Sequence, residues 1–139
     1  MLAFFADGKL KKVEVAGGSV QTICDAPTGR GGTWNKDGDI VFTPDAQLGR
    51  GMYRVPASGG TPKEISKPDA AHDEQSHRWP MFLPDGRHFL YMATRFGGQK
   101  EEANAVFIGA LDSDEKHFVV NTTANAAYAA PGFLLYYRD

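Results

Sequence analysis

The chain has 139 residues, enough for one domain with its own core. A formal net charge of −2 gives no global attraction to nucleic acid or anionic membrane, and no apolar run is long enough to span a bilayer. Sixteen glycines, eight prolines and plentiful Phe and Tyr point to short strands joined by turns, and the single cysteine, Cys24, excludes an internal disulfide or a cysteine-based zinc site.

The first stretch, "MLAFFADGKLKKVEV", has no basic segment before its apolar residues and no small-residue cleavage pattern, so it reads as a strand pair rather than a secretory signal. "LAFFADG" ends at Asp7-Gly8, and "LKKVEV" leads to Gly17-Gly18 with the alternation of an outer strand that has one wet face. Cys24, in "VQTIC", reads as a small buried residue rather than a reactive thiol. "TGRGGTW" is rich in glycine but precedes a strand and lacks Gly-Lys-Ser/Thr, so it is a connection and not a phosphate loop. "GGTWNKDGDIVFTPD" places Trp34 before an Asp37-Gly38 turn and Ile40-Val41-Phe42 after it. "MYRVPASGGTPKEI" then repeats "LKKVEVAGGSVQTI" at a shift of 42, with Val13 on Val55, Gly17-Gly18 on Gly59-Gly60 and Ile23 on Ile65.

Further on, "SHRWPMFLPDGRHFLYMATR" has Phe82 before Pro84-Asp85-Gly86 and a run from Phe89 to Met92 after it, apolar enough to be buried on both faces. "RFGGQKEEANA" reads as a long charged hairpin loop, and "VFIGALDSDEKHFVV" as a strand pair turning at Asp112-Ser113-Asp114. "NAAYAAPGFLLYYRD" carries Tyr128, Pro131-Gly132 and a last apolar strand. The Asp-Gly turns recur 48 residues apart, and Gly132 follows Gly86 by 46. Four antiparallel strands at that period are a β-propeller blade. The predicted fold is all-β: a propeller segment of about three four-stranded blades with incomplete terminal blades, divided roughly as 1–26, 27–70, 71–122 and 123–139. Assigned to blades, the strands number three, four, four and two, or thirteen.

The strings "WNKDGDIVF", "YRVPASGGTP" and "SHRWPMFLPDGRHFLY", with "NAAYAAPG" downstream, resemble the WD-like repeats of TolB-like propellers. They resemble most the propeller regions attached to bacterial serine/threonine kinases of the eukaryotic type. The resemblance covers nearly the whole chain. It implies a propeller of six to eight blades that binds protein or peptide, carries no catalytic residues of its own, and lies outside the cytoplasm.

Several side chains invite a chemical reading. His72, Asp73, Glu74 and His77 in "AAHDEQSH" have spacing that could ligate a metal, but they fall in a connection between blades, where a solvated polar loop is expected. His77, Arg78 and Trp79 stand at the start of an innermost strand, with Arg30 in the equivalent connection. There they would rim a central funnel, and Arg78 could clamp a carboxylate or phosphate of a partner. The opposing reading packs Trp79 between blades with Arg78 across it. No Gly-x-Ser-x-Gly elbow exists, and Ser76 and His77 point to opposite faces of an extended chain. The expected function is a non-catalytic binding or scaffolding module for protein or peptide, without catalytic residues, metal or cofactor. The alternative is a propeller that gates a serine peptidase or serves as the funnel of a lyase or glycosidase. An open arc would leave apolar strands uncovered at both ends, so the chain is expected either to be a piece of a longer protein that supplies the missing blades or to meet a second copy that closes a ring of about six blades, with Phe4, Phe5, Leu134 and Tyr136 near the seams.

Overall fold

The computed structural model describes residues 1–95 and 104–137. The protein is all-β, and the described residues form thirteen strands in four antiparallel sheets. The first sheet holds β1 (Leu2–Ala6), β2 (Lys9–Val13) and β3 (Gln21–Asp25). The second holds β4 (Gly32–Trp34), β5 (Asp39–Phe42), β6 (Tyr53–Pro56) and β7 (Lys63–Glu64). The third holds β8 (Ser76–Phe82), β9 (His88–Thr94), β10 (Asn104–Ala110) and β11 (Ser113–Thr122), and the fourth β12 (Ala127–Ala129) and β13 (Phe133–Leu135). Within each sheet the strands follow chain order, so every sheet is a simple meander. Most of the expected "RFGGQKEEANA" loop, Phe96 to Ala103, lies outside the described residues. No helix among the described residues is long and apolar enough to cross a membrane.

The two Gly-Gly turns share one backbone geometry. Gly17 and Gly18 take φ of 93° and 135°, and Gly59 and Gly60 take 95° and 133°. The same bond closes both turns: Gly17 N–H to the Glu14 carbonyl at 2.9 Å, and Gly59 N–H to the Pro56 carbonyl at 2.8 Å. Only glycine accepts both angles without cost, which is why the pair recurs. Asp37-Gly38, Asp85-Gly86 and Pro131-Gly132 lie in the turns of the β4–β5, β8–β9 and β12–β13 hairpins. Trp34 and Phe82 end their first strands, and Tyr128 sits one residue earlier in its own.

Three apolar clusters lie between consecutive sheets. Leu10, Ile23, Ile40, Phe42 and Val55 join the first sheet to the second. Val41, Met52, Phe89, Tyr91 and Phe107 join the second to the third, and Leu90, Val106 and Ala126 the third to the fourth. Ile40 and Val41 are neighbours in β5 yet belong to different clusters, because successive strand residues face opposite sides. That is why β5 and β9 read as continuous apolar runs. Each large side chain so buried contributes roughly 1.5–3 kcal/mol.

Two expectations are corrected. β2 is the central strand of its sheet, flanked by β1 and β3, and most of its residues are half-buried on either face. "HDEQSH" is not a solvated loop: a 3₁₀ turn, Ala70–His72, reverses the chain, and Glu74 and His77 beyond it are buried.

Candidate functional site

The outer strands of the second and third sheets part to leave a cleft of about 600 Å³, lined by residues of the Lys63–Lys67 segment, by His77, Phe89 and Tyr91, and by residues from Gly109 to Lys116. Behind His77, one of the lining residues, lies a buried polar cluster built on the 3₁₀ turn. The Asp69 side chain accepts from the Ala71 N–H at 3.0 Å, and Asp73 takes a left-handed φ of 57°, which turns Glu74 back into the protein. The Glu74 side chain is 1% exposed. Its Oε2 accepts from the Asp69 N–H at 2.9 Å and from His77 Nε2 at 3.1 Å, while Oε1 takes the Lys116 ammonium from β11. Burial alone would favour the neutral acid, but the bonds from His77, Lys116 and Asp69 outweigh it and hold the carboxyl at about 2.

His77 stands with its ring 4.7 Å from that of Tyr91, whose phenol is pushed up by burial and by the Glu74 charge. The other ring nitrogen, Nδ1, lies 2.8 Å from Ser66 Oγ, which also accepts the Met52 N–H at 2.9 Å. With Glu74 ionised, Nε2 must carry a hydrogen, so a neutral imidazole accepts the Ser66 hydroxyl proton at Nδ1. Ser66, His77 and Glu74 thus form a hydrogen-bonded series whose polarity matches that of an activated serine. The same series, completed by Lys116, also ties the end of the second sheet to both edges of the third.

Around the inner strands a second group gathers. β8 is bulged between Arg78 and Met81, and Trp79 adopts φ of 56° with its side chain exposed. Its N–H donates to the Arg30 carbonyl at 3.0 Å. Gly31 lies directly beneath: a Cβ there would sit 2.9 Å from both Trp79 Cα and Cε3. Arg78 donates from Nε to Ser76 Oγ at 2.7 Å and from Nη2 to the Ala46 carbonyl at 3.4 Å. Burial and the nearby Arg30 charge lower the pKa of Arg78.

Of the residues singled out from sequence, Arg30, Arg78 and Trp79 are therefore neighbours. His77 is not a rim residue: the strand turns it to the opposite side, 1% exposed and bonded inward. The four spaced residues of "AAHDEQSH" also separate. His72 stays outside, its Nδ1 2.7 Å from Asp69 Oδ2, while Glu74 and His77 lie inside. Among the described residues no group of three or more ligating side chains gathers at a point. Ser66 and Lys116 escaped the sequence reading because their contacts cross between elements. The available signal was local: Glu74 and His77, three apart, at the start of β8. The sequence matches no protein-family model and no curated protein.

Proposed function

We propose that the chain forms about three blades of a β-propeller and acts as a non-catalytic binding or scaffolding module for protein or peptide partners. One observation carries the reading: the second and third meander sheets touch along their inner strands and diverge along their outer ones. β4 and β8 lie side by side, with the Phe82 N–H on Thr33 Oγ1 at 3.0 Å and the Trp79 N–H on the Arg30 carbonyl. At the other edge, β7 and β11 flank the cleft. A wedge of that shape is what radial packing of blades produces. Asn35 adds a tie between equivalent turns, donating from Nδ2 to the Gly86 carbonyl at 2.7 Å.

The outermost sheets keep apolar side chains in solvent: Leu2 on β1, Phe133 and Leu135 on β13, and Tyr137 beyond it. β1 and β13 also have unpaired edges within the described residues. A second copy closing a ring of about six blades would cover them. Phe5 and Leu134 already pack within the chain, so the seam falls on the exposed set instead.

The Ser66–His77–Glu74 series favours a second reading, a serine hydrolase working from the cleft. An alkyl fluorophosphonate probe followed by peptide mass mapping separates the two. The binding-module reading expects no adduct at Ser66. An adduct on Ser66 that disappears in His77→Ala, with the fold retained, would overturn it.

A further inference from the structure

We infer that the surface formed by Arg30, Arg78 and Trp79 docks an acidic segment of a partner protein, a carboxylate meeting the guanidinium of Arg30 while an adjoining aliphatic side chain lies on the Trp79 indole. This rests on the propeller reading, which places the inner strands β4 and β8 beside a central channel and so puts the site at its mouth.

Three observations support it. The first is strain. A bulky residue at φ of 56° is a genuine outlier, and such conformations persist mainly where function holds them. The fold accommodates this one specifically, through the bulge in β8 and the absence of a side chain at Gly31. The second is exposure. The strained residue leaves 41% of its surface in solvent, so the conformation does not serve to bury the ring in the core. An exposed, backbone-anchored indole loses little conformational freedom on binding and is a residue type favoured at interface centres.

The third is charge. Arg54 is paired bidentately with Asp39 at 2.8 and 2.9 Å, and Arg50 lies 3.5 Å from Asp45. Among the described residues Arg30 forms no salt bridge, and it lies close enough to Arg78 for the two charges to be felt. Two cations beside one another favour an anion between or above them. A net charge of −2 and a basic patch built, among the described residues, on the neighbouring pair Arg30 and Arg78 argue for a short acidic peptide over a polyanionic strand, which needs a longer basic track.

The test titrates the full chain with fluorescein-labelled peptides of alternating Glu and Leu, with their Gln-Leu counterparts, and with a single-stranded oligouridylate. Glu-Leu peptides with free and amidated C-termini distinguish a terminal from a side-chain carboxylate. The expected result is salt-sensitive binding of a Glu-Leu peptide, weakened at least about tenfold for Gln-Leu and in Arg30→Gln. Trp79→Gly should weaken it similarly while leaving the urea midpoint unchanged or higher, because glycine relieves the strained φ. Equal binding of Gln-Leu, preference for the oligouridylate, or no binding of either peptide would each overturn the proposal. None of these outcomes decides the non-catalytic reading, which the serine probe tests, or ring closure, which the oligomeric state tests.

Discussion

Glu74→Gln is the most informative single change, because it removes one charge from a fully enclosed side chain and keeps its shape. The amide oxygen can still accept from the Asp69 N–H and from His77. The amide nitrogen then faces the Lys116 ammonium, donor against donor. The carboxyl falls from 4.5 to about 2 on folding, and at about 1.4 kcal/mol per unit this amounts to roughly 3 kcal/mol. Breaking one side of a buried ion pair costs a similar amount, about 3–5 kcal/mol. The sign follows from the direction of the shift. A depressed carboxyl contributes fully above its unfolded value, so the stabilisation is complete above about pH 4.5 and fades as the pH falls toward about 2. Urea unfolding followed by tryptophan fluorescence at a series of pH values measures it. The variant should be less stable by roughly 3 kcal/mol near neutrality, and the two stability curves should converge in acid. A constant offset at every pH, or a neutral-pH difference under about 0.5 kcal/mol, would mean that the carboxylate is not held as described.

Three further outcomes follow from the fold. Asn35→Ala removes a buried amide that joins two equivalent turns and accepts from the Asp37 and Asp39 N–H groups at 3.0 and 2.9 Å; it should lower stability by about 2–4 kcal/mol in urea, and a near-zero effect would uncouple the turns. Burial, with the neighbouring Asp25 charge, pushes the Cys24 thiol up to about 11, so alkylation by iodoacetamide at mildly alkaline pH should follow global unfolding; fast labelling of the native protein would contradict that burial. Static light scattering at micromolar concentration should give twice the chain mass if a second copy covers β1 and β13, and a stable, non-aggregating monomer would remove ring closure.

The sheets were legible because their signals are local. Gly-Gly at 17–18 and 59–60 and Asp-Gly at 37–38 and 85–86 each fix a hairpin through their own backbone angles, whatever surrounds them. The buried runs of β5 and β9 were legible for a related reason: a strand sandwiched between two apolar clusters cannot alternate. Exposure at β2 was misread because "LKKVEV" alternates from Lys11 to Val15 as an amphipathic strand would, whereas the lysines of β2 reach partners beyond the strand: Lys9 on Asp25, Lys11 on Asp7 and Lys12 on the Ala57 carbonyl. Long stems lie along half-buried surface while the ammonium finds an oxygen, so the polarity of a lysine says little about where its backbone runs.

The polar cluster was harder, and the difficulty is physical. A connection dense in Asp, Glu and His has the composition of a solvated loop and of a buried ionic staple alike. What separates the two is whether enough donors converge on the carboxylate to offset its desolvation. For Glu74 those donors come from Asp69, five residues back, from His77, three residues on, and from Lys116, forty-two residues on at the far edge of the sheet. The first two are within reach of local reasoning; without Lys116 the carboxylate would lose the one ammonium that meets it among the described residues. Trp79 poses the complementary case. Its neighbourhood to Arg30 and Arg78 was legible because the two arginines stand in similar places, each at the entry to the first strand of a sheet, but the bulge that turns Trp79 outward was not, since a bulge changes no residue type and only adds one unpaired position. The staple and the outward indole therefore depend on each other through β8. His77 and Trp79 lie two apart, where an even strand would point both the same way, and it is the bulge that lets one be buried while the other faces solvent.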